Sequence, residues 1–227
     1  MNTLPLYISL VFGITLLASI FLFYKAAHSS KIVLTILISW IIIQSIVSIT
    51  GFYASENTLP PRFAFLLMPP LLLILLLFIS KKGKLFIDGL DLKWLTLLHI
   101  IRIPVELVLL WLFMNKGIPE LMTFEGRNFD IISGISAPIV YYFAFLKEQK
   151  NIRLLLAWNF ICLALVINIA INAVLSLPTK FQQFAFDQPN LALLHFPFTL
   201  LPSVLVPIVV FSHLASVRQL LCNKKAI

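Results

Sequence analysis

His99, Arg102 and Glu106 occupy positions i, i+3 and i+7 of an otherwise apolar stretch. On a helix these offsets fall on one face. An ionisable side chain at mid-bilayer costs about 2.5–3.5 kcal/mol on insertion scales, so such a stripe turns away from lipid and marks a candidate site. The chemistry open to it is anion pairing by Arg102, proton exchange at Glu106 and hydrogen bonding by His99. An Arg102–Glu106 ion pair is the plain structural alternative. Arginine four residues before glutamate is the weaker order for such a pair, which predicts partners for both groups on other helices or on a ligand. Pro104 lies between them, removes a hydrogen bond from the Ile100 carbonyl and predicts a kink.

Other polar residues in apolar runs define where this stripe would work. At 1.5 Å per residue, Arg102 lies ~15 Å and Glu106 ~21 Å from the inner end of their span. Asn168 falls at ~21 Å and Asn172 at ~27 Å in a later span of the same direction, and four residues apart they share a face. Gln44 comes out near mid-membrane, and His195 ~6 Å below the outer boundary. These residues are expected to share a slab in the outer half of the bundle. Within it, Glu106 and His195 are the candidate general acid and base. The connection 115–130 mixes Glu125, Arg127 and Asp130 with Leu121, Met122, Phe124 and Phe129, and 178–190 carries three phenylalanines. Loops of that composition are expected either to fold back as lids or to anchor at the interface.

Several chemistries find no footing. The same depth reckoning separates His28, His99, His195 and His213, so no two share a level and neither a metal nor a cofactor is expected. A bis-histidine haem across His99 and His213 would require an error of roughly 10 Å in those depths. Every lysine lies in a loop or the tail, which removes a retinal Schiff base. GxSxG and nucleotide-binding glycine loops are absent, and every aspartate falls outside the apolar runs. The two cysteines, Cys162 and Cys222, are too few for a disulfide framework.

The elements that must hold these residues follow from composition. Of the 227 residues, 60% are hydrophobic and 11% charged, against roughly 45–50% and 25% in soluble domains. A soluble domain of this size cannot hide that much apolar surface. A bilayer core of about 30 Å needs about 20 apolar residues per helix. That length predicts spans at 4–24, 32–53, 63–79, 92–114, 131–146, 154–177 and 191–214. The segment 85–91 is expected to lie along the interface. Three prolines, Pro197, Pro202 and Pro207, predict breaks in the last span that free the carbonyls of Leu193, Phe198 and Ser203. The first basic residue is Lys25, so no secretory signal peptide is expected.

Charge sets the orientation. Twelve basic residues fall in one set of connections and four in the other. Positive residues remain cytoplasmic, placing the N-terminus outside and the C-terminus inside. The net charge of +8 is thus a topology signal with contact to anionic lipid, not a nucleic-acid signal. The expected fold is an all-α integral membrane protein, one seven-helix domain over 1–227, in a bacterial cytoplasmic membrane.

The expected function is binding or transport of a small polar or amphipathic ligand. Arg102, His99, Gln44, Asn168, Asn172, Glu125, Arg127 and Asp130 would line its path. Two alternatives stand beside it: a membrane enzyme acting on a lipid or isoprenoid through Glu106 and His195, and a structural membrane subunit. Membrane lipids and a small-molecule or lipid ligand are the partners expected, with no nucleic acid.

Overall fold

Leucine, isoleucine and phenylalanine surround the first helix, α1 (Leu6–Ala26), on every side, so amphipathicity does not choose its buried face. Packing does. Ile8, Phe12, Leu16, Ile20 and Phe23 repeat at helical spacing and are buried, while Leu6, Leu10, Ile14, Leu17 and Phe21 remain exposed. A helix that leaves its second apolar face open suits contact with lipid chains. The computed structural model describes residues 4–54, 61–147 and 151–222, and among these the chain is helical without strands.

After α1 come α2 (Lys31–Ile49), α3 (Ala64–Ile79), α4 (Lys81–Asp88) and α5 (Leu92–Leu98). A 3-10 turn, His99–Ile101, joins α5 to α6 (Arg102–Met114). This is where Pro104 withdraws its hydrogen bond, and the tighter winding takes up the defect. Then follow α7 (Ile131–Tyr141), α8 (Ile152–Leu175) and α9 (Val206–Cys222). Among the described residues, five helices are long and apolar enough to cross a membrane; a sixth is counted if α3 and α4 are taken as one bent span. The apolar segment Ile131–Leu146 is shorter.

Three expected runs shift away from a straight α-helix. The third apolar run ends in a bend of 93° between α3 and α4. Ser80 caps α4 by accepting from the Gly83 backbone N–H. Gly83 is required at this bend, because a Cβ there would stand 2.2 Å from the Leu77 carbonyl oxygen. The segment expected along the interface is therefore partly the helix α4, turned sharply away from α3. In the fifth run, α7 gives way to a π-helical turn at Tyr142–Leu146.

The third shift is the largest. Residues 191–200 are not the start of a long helix. They form a 3-10 turn (Ala192–Leu194) and irregular turns containing the cis Phe196–Pro197 bond. Helical structure resumes with a π-helical turn, Leu201–Leu205, and continues as α9. Pro207 frees the Ser203 carbonyl as expected, and the Trp40 indole N–H of α2 donates to it at 2.9 Å. The Thr199 hydroxyl donates to Ser48 Oγ at 2.9 Å. These bonds fasten α2 to the broken start of the last span.

The core sits where α1 packs on α5 and α6, and where α8 packs on α9. On the far side of the chain's end, Arg218 of α9 makes a two-pronged ion pair with Asp88 at 2.8 and 2.9 Å. Gln219 donates to the carbonyls of Ile87 and Leu90. Together they lock α4 against α9.

Candidate functional site

α7 reaches the polar stripe because its contact face is made of small residues. Ser133, Gly134 and Ala137 are buried there. A Cβ on Gly134 would lie 2.8 Å from Ile103 Cγ1 and 3.0 Å from the Ile103 backbone nitrogen. Small residues let two helix backbones approach closely. That approach brings the first turn of α7, and with it Asp130, to the side chain of Arg102.

Arg102 pairs with Asp130, not with Glu106. Both residues are almost fully buried. Burial raises the Asp130 carboxyl above its ordinary value, and the Arg102 guanidinium acts against that rise. The partial positive charge at the N-terminus of α7 also favours an anion at this position. A second guanidinium nitrogen of Arg102 lies 3.2 Å from His213 Nε2 on α9. Arginine offers only donors, so Nε2 must accept and the proton sits on Nδ1. That proton is donated to Asn159 Oδ1 on α8 at 2.9 Å. Asn159 in turn donates from Nδ2 to the Leu155 carbonyl.

Glu106 takes its hydrogen bonds from the connection 115–130. Asn128 Nδ2 donates to both carboxylate oxygens at 2.7 Å and to the Met122 carbonyl at 3.0 Å. Its Oδ1 accepts from the Asp130 backbone N–H at 3.1 Å. Asn128 thus links the two carboxylates through a tight turn of backbone. One continuous chain of bonds runs from Asn159 through His213, Arg102, Asp130 and Asn128 to Glu106.

His99 stands beside this chain without joining it by hydrogen bonds. Its ring is 0% exposed and stacks on His213, with centroids 3.8 Å apart and planes at 14°. Trp158 packs edge-on against both rings. Neither nitrogen of His99 has a hydrogen-bond partner. The expectation that no two histidines share a level is therefore overturned for His99 and His213. Residues 191–200 consume chain without helical rise, so His213 sits mid-helix. Face-to-face stacking is not an arrangement that grips one metal from two sides, and among the described residues no group of three or more His, Cys, Asp or Glu side chains is placed to hold a metal ion.

Glu106 also faces a cavity of about 90 Å³. Its walls are apolar and come from α3 (Leu66), α6 (Val105, Leu109), α8 (Ile169, Ala170) and the start of the last span (Pro202). Asp130 and Asn190 contribute the other polar groups. Asn190 is held at the end of α8 by its backbone N–H, donated to Ser176, and by Nδ2, donated to Ala173. It is 1% exposed, and its Oδ1 has no partner.

Of the residues singled out by sequence, His99, Arg102, Glu106 and Asp130 come together here. Asn168 is exposed and donates to the Arg127 carbonyl at 3.0 Å; Asn172 donates back to Asn168. That pair anchors the connection 115–130. Arg127 also lies 5.3 Å from the Phe184 ring centroid, joining the connections 115–130 and 178–190. Glu125 is exposed. Gln44 is buried on α2 and accepts from the Tyr53 hydroxyl at 2.6 Å. His195 is half-buried and is not among the cavity's lining residues. Sequence reasoning missed Asn128, Asn159, Asn190 and the partnership of His213. Asn128 and Asn190 lie in connections, where only their nearness to apolar residues signals a buried position.

Residues 60–221 match the model of a family described as a domain of unknown function (DUF8737). No curated protein and no solved structure matches the chain.

Proposed function

The chain belongs to the DUF8737 family, a domain of unknown function, and on that premise we propose that it is a membrane protein that binds or transports a small amphipathic ligand, held in the cavity beside Glu106. The observation that carries this reading is a carboxylate, 2% exposed and in no salt bridge among the described residues, on the wall of an otherwise apolar cavity. Such a group is costly to bury for structure alone.

The bundle crosses the membrane seven times in this reading, with the N-terminus outside, in a bacterial cytoplasmic membrane. The twelve-to-four division of basic residues supports that orientation. Arg102 is committed to Asp130 and His213, so its role is to position the first turn of α7 and the outer connection. Glu106 and Asn190 are the groups that meet the ligand. The outer connections, joined by Asn128, Asn168 and Arg127, cover the cavity from one end. Acid–base chemistry between Glu106 and His195 gains no support from this arrangement, since His195 is not part of the cavity wall.

Native mass spectra of the detergent-purified protein test the proposal. A defined small molecule or lipid retained by the wild type and lost in Glu106→Gln supports it. If Glu106→Gln is folded and leaves both retained mass and cellular uptake unchanged, the polar chain only holds helices together.

A further inference from the structure

Among the described residues, the buried charged side chains are Arg102, Glu106 and Asp130. Two are carboxylates and one is a guanidinium, and the guanidinium is bonded to Asp130. With Glu106 ionised, this cluster is one positive charge short. An unpaired carboxylate in apolar surroundings is stable only if a proton or a cation completes it.

The cavity specifies which cation. Three oxygen-bearing side chains are among its lining residues: Glu106, Asp130 and Asn190. Asn190 Oδ1 is buried and lacks any donor, an independent sign that a donor is missing from this space. Every other wall is apolar, so a bare metal ion would find too few oxygens for the six or more that hard cations take. A group that brings its own N–H donors and a hydrocarbon body satisfies both halves of the site. An apolar cavity of about 150 Å³ accommodates benzene; one of about 90 Å³ takes the head and first carbons of a chain.

We propose that the ligand of this cavity is a lipophilic primary amine, bound as its ammonium ion, with donors to Glu106 and to Asn190 Oδ1. This rests on the reading of the cavity as a ligand site. The ammonium replaces a proton: as it enters, Glu106 releases one proton to water, and the charge of the site is unchanged. The groups facing Glu106 are few. Asp130 lies at the start of α7, Arg102 on its own helix and Asn128 on the outer connection, while α3, α8 and the start of the last span contribute apolar side chains. His99 and His213 meet Arg102 or each other and make no hydrogen bond to Glu106. Glu106 is therefore the group for which proton and amine compete.

The test is binding of hexylamine, hexanol and hexanoate to the detergent-purified full chain, measured by calorimetry at alkaline and at acid pH. At alkaline pH hexylamine is expected to bind at least about tenfold more tightly than either analogue; at acid pH, where Glu106 starts protonated, it weakens by a similar factor and binds with release of a proton. Glu106→Gln removes the preference for the amine. Ala170→Phe, which fills the cavity and leaves the charges in place, removes binding of the amine even if Glu106→Gln fails to fold. Equal binding of hexanol and hexylamine, abolished by Ala170→Phe, overturns the amine assignment and leaves the cavity as a ligand site. Binding of none of the three, or binding indifferent to Ala170→Phe, overturns the site itself.

Discussion

His99 and His213 lie face to face, 3.8 Å between ring centroids, yet only one of them is hydrogen-bonded. His213 bridges Arg102 and Asn159; His99 contributes a flat surface. The two rings should therefore respond differently to the same substitution. His99→Phe keeps the stack and loses no bond, so its melting temperature in detergent is expected to stay close to wild type. His213→Phe strands donors on Arg102 and an acceptor on Asn159, at a cost of about 1–3 kcal/mol. Equal losses in the two variants would contradict this division of roles.

Breaking the Arg102–Asp130 pair should be the most damaging change in the polar chain. Removing one member of a buried pair leaves an uncompensated charge and costs about 3–5 kcal/mol. Asp130→Asn and Arg102→Ala are both expected to lower thermal stability by that order. Arg102→Lys should not restore it, because an ammonium cannot span Asp130 and His213 as a planar guanidinium does. A lysine variant as stable as wild type would mean that charge alone matters here.

The close contact at Gly134 predicts intolerance to size. Alanine there must push on Ile103, which lies within 3.0 Å at a side-chain and a backbone atom. A loss of about 1–3 kcal/mol is expected for Gly134→Ala, and Gly134→Leu should fail to yield folded protein. Measuring expression and melting of both variants checks the order, and a harmless leucine would show that α7 does not pack as described.

Two asparagines, Asn128 and Asn168, should separate cleanly. Asn128→Ala removes both hydrogen bonds to Glu106 and is expected to cost about 1–3 kcal/mol. Asn168→Ala releases one exposed loop carbonyl and should cost about 0.6 kcal/mol, the average for a hydrogen bond between spans. Chemical denaturation of the two variants in one detergent gives the comparison directly.

The Trp40 indole offers a test of the broken last span. Trp40→Phe leaves the Ser203 carbonyl without its donor. Hydrogen exchange at the backbone amides of 201–207 should rise relative to wild type, while exchange in α8 stays unchanged. Unaltered exchange there would show that the carbonyl is satisfied in another way.

The stripe on α6 was legible from sequence because ionisable side chains in an apolar run have few explanations. The expectation that Arg102 and Glu106 find partners on other elements also agrees with the structure, since Arg102 bonds to Asp130 and Glu106 to Asn128. What failed was the use of rise per residue as a ruler. It holds while the chain is helical, as between His99 and Glu106. The short 3-10 turn and irregular turns before Leu201 displaced His213 by roughly 10 Å from its expected depth. Prolines 197, 202 and 207 signalled breaks, but not that the helix would start only after the first of them. Asn128 and Asn190 were invisible for a different reason: a loop residue has no periodicity to reveal which way it faces.

α1 has one further consequence. Its Ile8, Phe12 and Leu16 belong to the core shared with Leu95, Leu98 and Leu112 of α5 and α6, although α1 precedes the stretch matched by the family. A fragment starting at residue 60 would bare the back of the helix that carries Arg102 and Glu106. The boundary drawn by sequence similarity is thus not a seam in the molecule.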